Sequence, residues 1–209
     1  MRATAVDDGR RSLRAHLEAS AAAKAEAARS EGCIASLQAI AEAVARALAG
    51  GKKVLLCGNG GSAADAQHVA TELVVRLSGE RPARRALPAI ALTTDTSLLT
   101  ACANDLGFPE VFARQVQALG RPGDVLIGIS TSGNSANVVR AFEAAGPFAI
   151  VKVLFTGGTG GRLLGLSDLA FVAPTADTQH IQEVHLAAYH AVCALVEDRL
   201  RELEAKKVS

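Results

Sequence analysis

Short apolar runs alternate with helix-forming stretches along most of this chain, and each run breaks off in small or hydroxyl-bearing residues. Lys53-Val54-Leu55-Leu56-Cys57 stops at Gly58-Asn59-Gly60-Gly61-Ser62, after which Ala63 to Leu77 returns to helical composition. That order, strand then glycine turn then helix, opens a βαβ unit. It recurs. Ala89 to Leu92 is a second short run, followed by helical stretches around Leu98 to Cys102 and Glu110 to Leu119. Asp124 to Ser130 is a third, ending in Ser130-Thr131-Ser132-Gly133-Asn134-Ser135 ahead of a helix over Ala136 to Ala145. Ile150 to Phe155 and Leu169 to Val172 supply a fourth and a fifth strand, and a last helix runs from Thr178 to about Lys206. Continuous apolar runs of this length, spaced by helices, predict an α/β fold with a parallel sheet covered on both faces.

Ser12 to Leu48 is rich in Ala, Glu and Arg, lacks Pro, and reads as one or two long helices closed by Gly50-Gly51. It is an N-terminal addition to the sheet. With 209 residues and no linker, the chain is expected to form one domain over 1–209, with a helical segment to about 50 and an α/β core over about 51–200. Aromatics make up only 3%, so the core is built from Ala, Val, Leu and Ile.

A net charge of +1 without a Lys/Arg cluster leaves no footprint for nucleic acid. Cys33, Cys57, Cys102 and Cys193 are scattered without CxxC spacing, which suits a reducing cytoplasm. Met1 to Ala22 carries charges throughout and has no apolar signal region. No run is expected to reach the ~18 apolar residues that span a bilayer, so no membrane partner is expected.

Ligands in parallel α/β sheets gather at the carboxyl ends of strands, where helix N-termini point. Two loops have the chemistry for an anion there. Gly58 to Ser62 lets backbone N–H groups approach closely and adds the Ser62 hydroxyl. The second loop offers hydroxyls at Ser130, Thr131, Ser132 and Ser135, more than one helix cap requires. Neither loop carries a P-loop lysine or fits GxGxxG, so a sugar phosphate is a better match than a nucleotide.

His68 and Glu72 lie four apart on the helix after the first loop and share a face. On the last helix Gln182 and His190 fall on roughly one stripe, with Gln179 and His185 nearby. A Glu and a His facing one cavity meet the needs of an enediol isomerase, a base for carbon and an acid/base for oxygen. The set His68, Glu72, Gln182 and His190 equally suits a divalent metal. Taken singly, His68–Glu72 reads as a surface ion pair and His190, amid Ala187, Ala188, Ala191 and Val192, as a core histidine. His16, His180 and His185 are taken as structural or surface residues.

Together these segments resemble a family. Cys57 to Ser62 with Asp65-Ala-Gln-His68 and Glu72-Leu73, Gly128 to Ser135, Ile181-Gln-Glu-Val-His185 with His190, and Asn104-Asp105 before Gly107-Phe108 look like the signatures of phosphoheptose isomerases, within the wider sugar isomerase (SIS) group. The resemblance covers about Leu37 to Leu200. It implies a five-stranded parallel sheet between helices, and interconversion of sedoheptulose 7-phosphate with a manno-heptose 7-phosphate, the first step towards nucleotide-activated heptose and, in some bacteria, lipopolysaccharide. It implies substrate contacts from Asn59, Gly60, Gly61, Ser62, Ser130, Thr131, Ser132 and Ser135, with Asn104 and Asp105 on the sugar. Glu72 and His190 become the acid/base pair, with Gln182 beside them. Zinc, one per subunit, is held in such relatives by residues matching His68, Glu72, Gln182 and His190. A homotetramer with sites shared between subunits follows, the N-terminal helices lying between them. Some relatives place an acid three residues before the glutamine, where this chain has Gln179; Asp177 is the nearest carboxylate.

A non-catalytic relative that binds the replication initiator shares both loops but lacks the residues matching Glu72 and His190. Regulators that sense a sugar phosphate usually carry a DNA-binding domain, for which this chain has no room outside the core. Isomerases of six-carbon phosphates remain an alternative, because no motif measures substrate length.

Overall fold

The computed structural model describes residues 2–208, with side chains described for 9–205; Met1 and Ser209, the ends of the expected domain, lie outside. The long N-terminal stretch is two helices, α1 (Arg2–Arg29) and α2 (Glu31–Ala49). Ser30 makes the break: its backbone is extended and its hydroxyl accepts from the Cys33 N–H, capping α2. The core follows as β1 (Val54–Gly58), α3 (Gly61–Val74), β2 (Ala89–Ala91), α4 (Thr96–Asp105), α5 (Ala113–Leu119), β3 (Val125–Ile129), α6 (Ala136–Ala145), β4 (Val151–Gly157), α7 (Gly161–Leu164), β5 (Leu169–Ala173) and α8 (Thr178–Val208). The helical stretch expected from Glu110 starts instead as a 3-10 turn at Phe108–Glu110 before α5.

All five strands are parallel, in the order β2-β1-β3-β4-β5. Alternate residues supply two cores, as strand geometry requires. Val54, Leu56, Val125, Ile127, Val153 and Phe155 face α1, α2, α3 and α8. Leu55, Cys57, Leu126 and Leu154 face α4, α5 and α6. Gly128, in the middle of β3, makes room on this second face, because a Cβ there would sit 2.4 Å from the Phe142 ring. The fold class is the one expected.

One expectation needs correcting. α2 is long and apolar enough to cross a membrane by length and composition. Here its apolar stripe of Ile40, Ala41, Val44, Ala45 and Leu48 is buried in the first core instead.

The segment between α3 and β2 is held by charge. Glu197 of α8 is 3% exposed. It accepts from Arg84 Nε at 2.7 Å and from Arg81 Nε at 2.5 Å. Burial pushes the Glu197 carboxyl upward, but the hydrogen bonds from Arg84 and Arg81 outweigh it and the net direction is down. Arg84 also donates to the carbonyls of Leu73 and Glu72, at 2.9 and 2.7 Å. It thereby satisfies the open C-terminal end of α3, where a cation also complements the helix dipole.

His185 is fully buried, with one ring nitrogen 2.9 Å from the Thr156 carbonyl and Nδ1 without a partner. Burial pulls its pKa down to about 4.

Two outcomes are expected. Glu197→Ala strands two arginines and should cost about 3–5 kcal/mol in urea unfolding; a loss below ~1 kcal/mol would show that water replaces the carboxylate. For His185 the folded state binds its proton less readily than the unfolded chain, so this contribution is present above pH 6.5 and lost as pH falls towards 4. At about 1.4 kcal/mol per pH unit this amounts to roughly 3 kcal/mol. His185→Gln should flatten that part of the stability–pH curve, and an unchanged curve would show that His185 is charged in the fold.

Candidate active site

The strand order reverses between β1 and β3, the place where open α/β sheets bind ligands. Both predicted loops lie there, side by side. In the first, Gly60 has φ 55° and ψ −121°, a conformation open to glycine, and starts α3 without a side-chain cap. In the second, Ser135 starts α6 without capping it, because its hydroxyl shares a 2.9 Å hydrogen bond with that of Ser130. Two helix N-termini without side-chain caps therefore meet at adjacent strand ends, a natural seat for a dianion.

The loops are braced against each other and against the next loop. Asn59 and Asn137 exchange two amide hydrogen bonds, each 2.8 Å, so the Asn59 amide is spent on joining them. The Thr131 carbonyl accepts from the Gly157 N–H at 3.1 Å, and the Asn134 side-chain oxygen from the Arg162 N–H at 2.9 Å. Ser132 Oγ accepts from the Asn134 N–H. Ser62 and Ser130 are buried, Thr131 and Ser135 half-buried, Gly60, Gly61 and Ser132 exposed. Gln182 comes from α8 to lie directly on Gly61, where a Cβ would stand 2.7 Å from its Nε2.

Farther along α3 the second predicted group assembles. The donor atoms of His68, Glu72 and His190 all lie within 4.8 Å of one another. His68 Nε2 is 2.8 Å from His190 Nε2 and 3.5 Å from Glu72 Oε1. Glu72 Oε2 is buried without a hydrogen-bond partner. His190 is exposed, so the core-histidine reading is excluded. Asp65, one turn before His68, has a carboxyl raised to about 6 by burial, against the lowering effect of His68. Its Oδ2 and the Tyr189 hydroxyl are both buried without partners. The Asp65 charge adds to the burial that holds the Tyr189 pKa well above its ordinary value.

Other predicted residues lie apart. Asn104 and Asp105 are exposed on α4 and bonded to each other at 2.8 Å. Among the described residues no hydrogen bond joins them to either loop, and Asp105 instead edges an apolar groove of about 460 Å³ between α4 and α5. Asp177 accepts from the N–H groups of Gln179 and His180, so it caps α8 and is not a free acid; those bonds, that of His180 first, lower its pKa. Gln179 is exposed. His185 is structural, as expected. Sequence reasoning missed Asn137 and Arg84. An amide at the second residue of α6 is the only signal for the first, and the second carries none, since its partners are remote in sequence.

The chain matches the SIS domain model over residues 15–149. It is 57% identical over 164 residues to a phosphoheptose isomerase of Roseiflexus sp. (strain RS-1), covering 78% of this chain and 82% of that protein. With the phosphoheptose isomerase of Aquifex aeolicus the identity is 53% over 163 residues, 78% of this chain and 84% of the relative. The solved phosphoheptose isomerase from Neisseria gonorrhoeae superposes with a TM-score of 0.82 at 44% identity, covering 90% of this chain and 98% of that one. Identity of this order over most of both chains, on a shared fold, establishes that the chain belongs to the phosphoheptose isomerase family of SIS-domain proteins.

Proposed function

We propose that the protein is an aldose–ketose isomerase that interconverts sedoheptulose 7-phosphate and D-glycero-D-manno-heptose 7-phosphate, the first step towards nucleotide-activated heptose. The observation that carries this is the spacing of the two groups along α3. From Gly61 to His68 is seven residues, a rise of about 10 Å at ~1.5 Å each. A seven-carbon chain has eight bonds from C1 to phosphorus, about 9–10 Å when extended at roughly 1.2 Å per bond. A phosphate seated at the loops thus brings C1 and C2 level with His68, Glu72 and His190.

In this reading backbone N–H groups of residues 59–61 and the hydroxyls of Ser130, Thr131, Ser132 and Ser135 hold the phosphate, with Ser62 beneath. Glu72 moves a proton between C2 and C1, and His190 moves protons on the two oxygens through a cis-enediol. Gln182, resting on Gly61, orients the sugar between the two groups. Asn104 and Asp105 reach the sugar from outside the loop site, from α4 of this subunit or of a neighbour.

The donor set fits zinc. Two imidazoles and a carboxylate converge, the unpartnered Glu72 Oε2 has a lone pair free to give to a cation, and His68 Nε2 and His190 Nε2 are near the ~3.3 Å expected between two ligands of a tetrahedral ion. Gln182, which rests on Gly61 here, would have to swing along α8 to complete the set. Zinc bound here would polarise the carbonyl and hydroxyl oxygens of the sugar.

Leu186, one turn before His190 on α8, is exposed, as are Val74 at the end of α3 and Val75 just beyond it. Apolar residues flanking a catalytic group support a homotetramer whose sites are completed across subunits, with α1 and α2 as the oligomerisation segment. Free thiols at all four cysteines support a cytoplasmic enzyme. The presence of both Glu72 and His190 argues against a non-catalytic binder of a sugar phosphate or the replication initiator.

Purified protein should convert sedoheptulose 7-phosphate, lose the activity on chelation and regain it with zinc. Glu72→Gln should lower kcat by at least 10³-fold, in the range expected for loss of a general base, while phosphate-ester binding persists. Wild-type turnover in that variant would remove Glu72 from the mechanism. Replacing Ser130 and Ser132 by Ala should raise KM well above any effect on kcat, and unchanged binding would move the anchor elsewhere.

A further inference from the structure

Apart from the cluster at His68, a second group of the same composition sits where α1 crosses the first turns of α8. The donor atoms of His16, His180 and Glu183 also lie within 4.8 Å of one another. His16 Nε2 is 3.4 Å from Glu183 Oε1, and the two imidazole rings stand 4.8 Å apart, centre to centre. An ion pair and a ring contact explain only part of this. His180 Nε2 and Glu183 Oε2 are both buried with no hydrogen-bond partner, and each such orphan is costly in a folded protein. The remaining atoms are already engaged. Ser20 bonds the Glu183 carboxylate and lowers its pKa, with His16 and Lys24 adding to the effect against burial. Lys24 itself donates to the Ser20 hydroxyl. On the other side of His180, Nδ1 lies 3.8 Å from Asp177 Oδ1.

We propose that His16, His180 and Glu183 form a second divalent-metal site, separate from the catalytic cluster, that clamps α1 to α8. His180 Nε2, Glu183 Oε2 and His16 Nε2 are the ligands. Two imidazoles and one carboxylate select a borderline transition ion such as Zn²⁺ or Co²⁺ over Mg²⁺ or Ca²⁺. Ligands of a tetrahedral ion stand about 3.3 Å apart, so the widest separation in the group must contract by up to about 1.5 Å. The His16 side chain, 42% exposed at the edge of the cluster, is free to make that movement. Glu183 follows Gln182 directly, so the clamp fastens α1 to the part of α8 that also reaches the loop at Gly61.

The test uses the full chain stripped of metal and titrated with Zn²⁺, with bound ions per chain counted after dialysis and thermal unfolding followed with and without the ion. His16→Ala and Glu183→Gln should each bind one zinc fewer than wild type. His68→Ala should keep the ion that those two lose. The zinc-dependent rise in Tm should shrink in both clamp variants, while His16→Ala keeps wild-type isomerase turnover. Unchanged stoichiometry in both variants overturns the site, whatever happens at His68. Loss of an ion with an undiminished Tm response overturns the clamp. Absence of turnover in wild type bears on the isomerase reading and leaves this count unaffected.

Discussion

The buried carboxylate of Glu197 fixes the relation between the two helices that carry the chemistry. α3 and α8 come from opposite ends of the chain, and nothing in their own sequences sets how far one slides along the other. Arg84 settles it by donating both to Glu197 on α8 and to the last carbonyls of α3, including that of Glu72. Arg81 adds a second cation and reaches on to Asp198 and the Ala194 carbonyl. A buried ion network of this kind contributes little net stability, because desolvation offsets most of the attraction. What it supplies is register. A shift of α8 by one turn would move His190 about 5 Å past Glu72 and His68.

At the other end of α3 the requirement is different. A phosphate seat needs donors that do not move, and in the proposed reading it is made almost wholly of main chain and short hydroxyls. No lysine or arginine stands in either loop. Rigidity comes from the Asn59–Asn137 amide pair and from the β4–α7 loop, whose Gly160 carbonyl would lie 1.9 Å from any Cβ at Gly133. The seat therefore depends on backbone geometry and helix dipoles, which act at short range and resist screening better than a surface lysine would. The near-neutral charge of the whole chain is compatible with an anionic substrate for this reason.

The parts legible in the sequence are those encoded locally. The continuous apolar runs of β1, β3 and β4, the glycine and serine turns, and the spacing of His68 and Glu72 are all set by neighbours within a few residues. The sequence allows one helix or two before Gly50 without placing the break at Ser30, although a serine ahead of Glu31 is an ordinary capping signal, because the helical composition runs on across it. Asp177 looked like a spare acid until the N–H groups of Gln179 and His180 claimed it. Arg84 was invisible for a stronger reason: Glu197 lies 113 residues away, and only the folded sheet brings the two together. The α2 helix shows the converse. Its composition permits a membrane span, and only its packing decides against one.

The histidines show how one residue type is divided between structure and chemistry by its access to water. His185 lies under the sheet among Phe155, Phe171 and Tyr189 and is held neutral by burial. Five residues on, His190 is exposed. A proton shuttle has to exchange with substrate oxygens and with solvent, so it cannot be buried as His185 is. An open site, however, would let water reach an enediol and would weaken every charge interaction that stabilises it. On α8 the exposed Leu186 stands one turn before His190, and in the proposed mechanism a second subunit would supply the cover that the enediol needs.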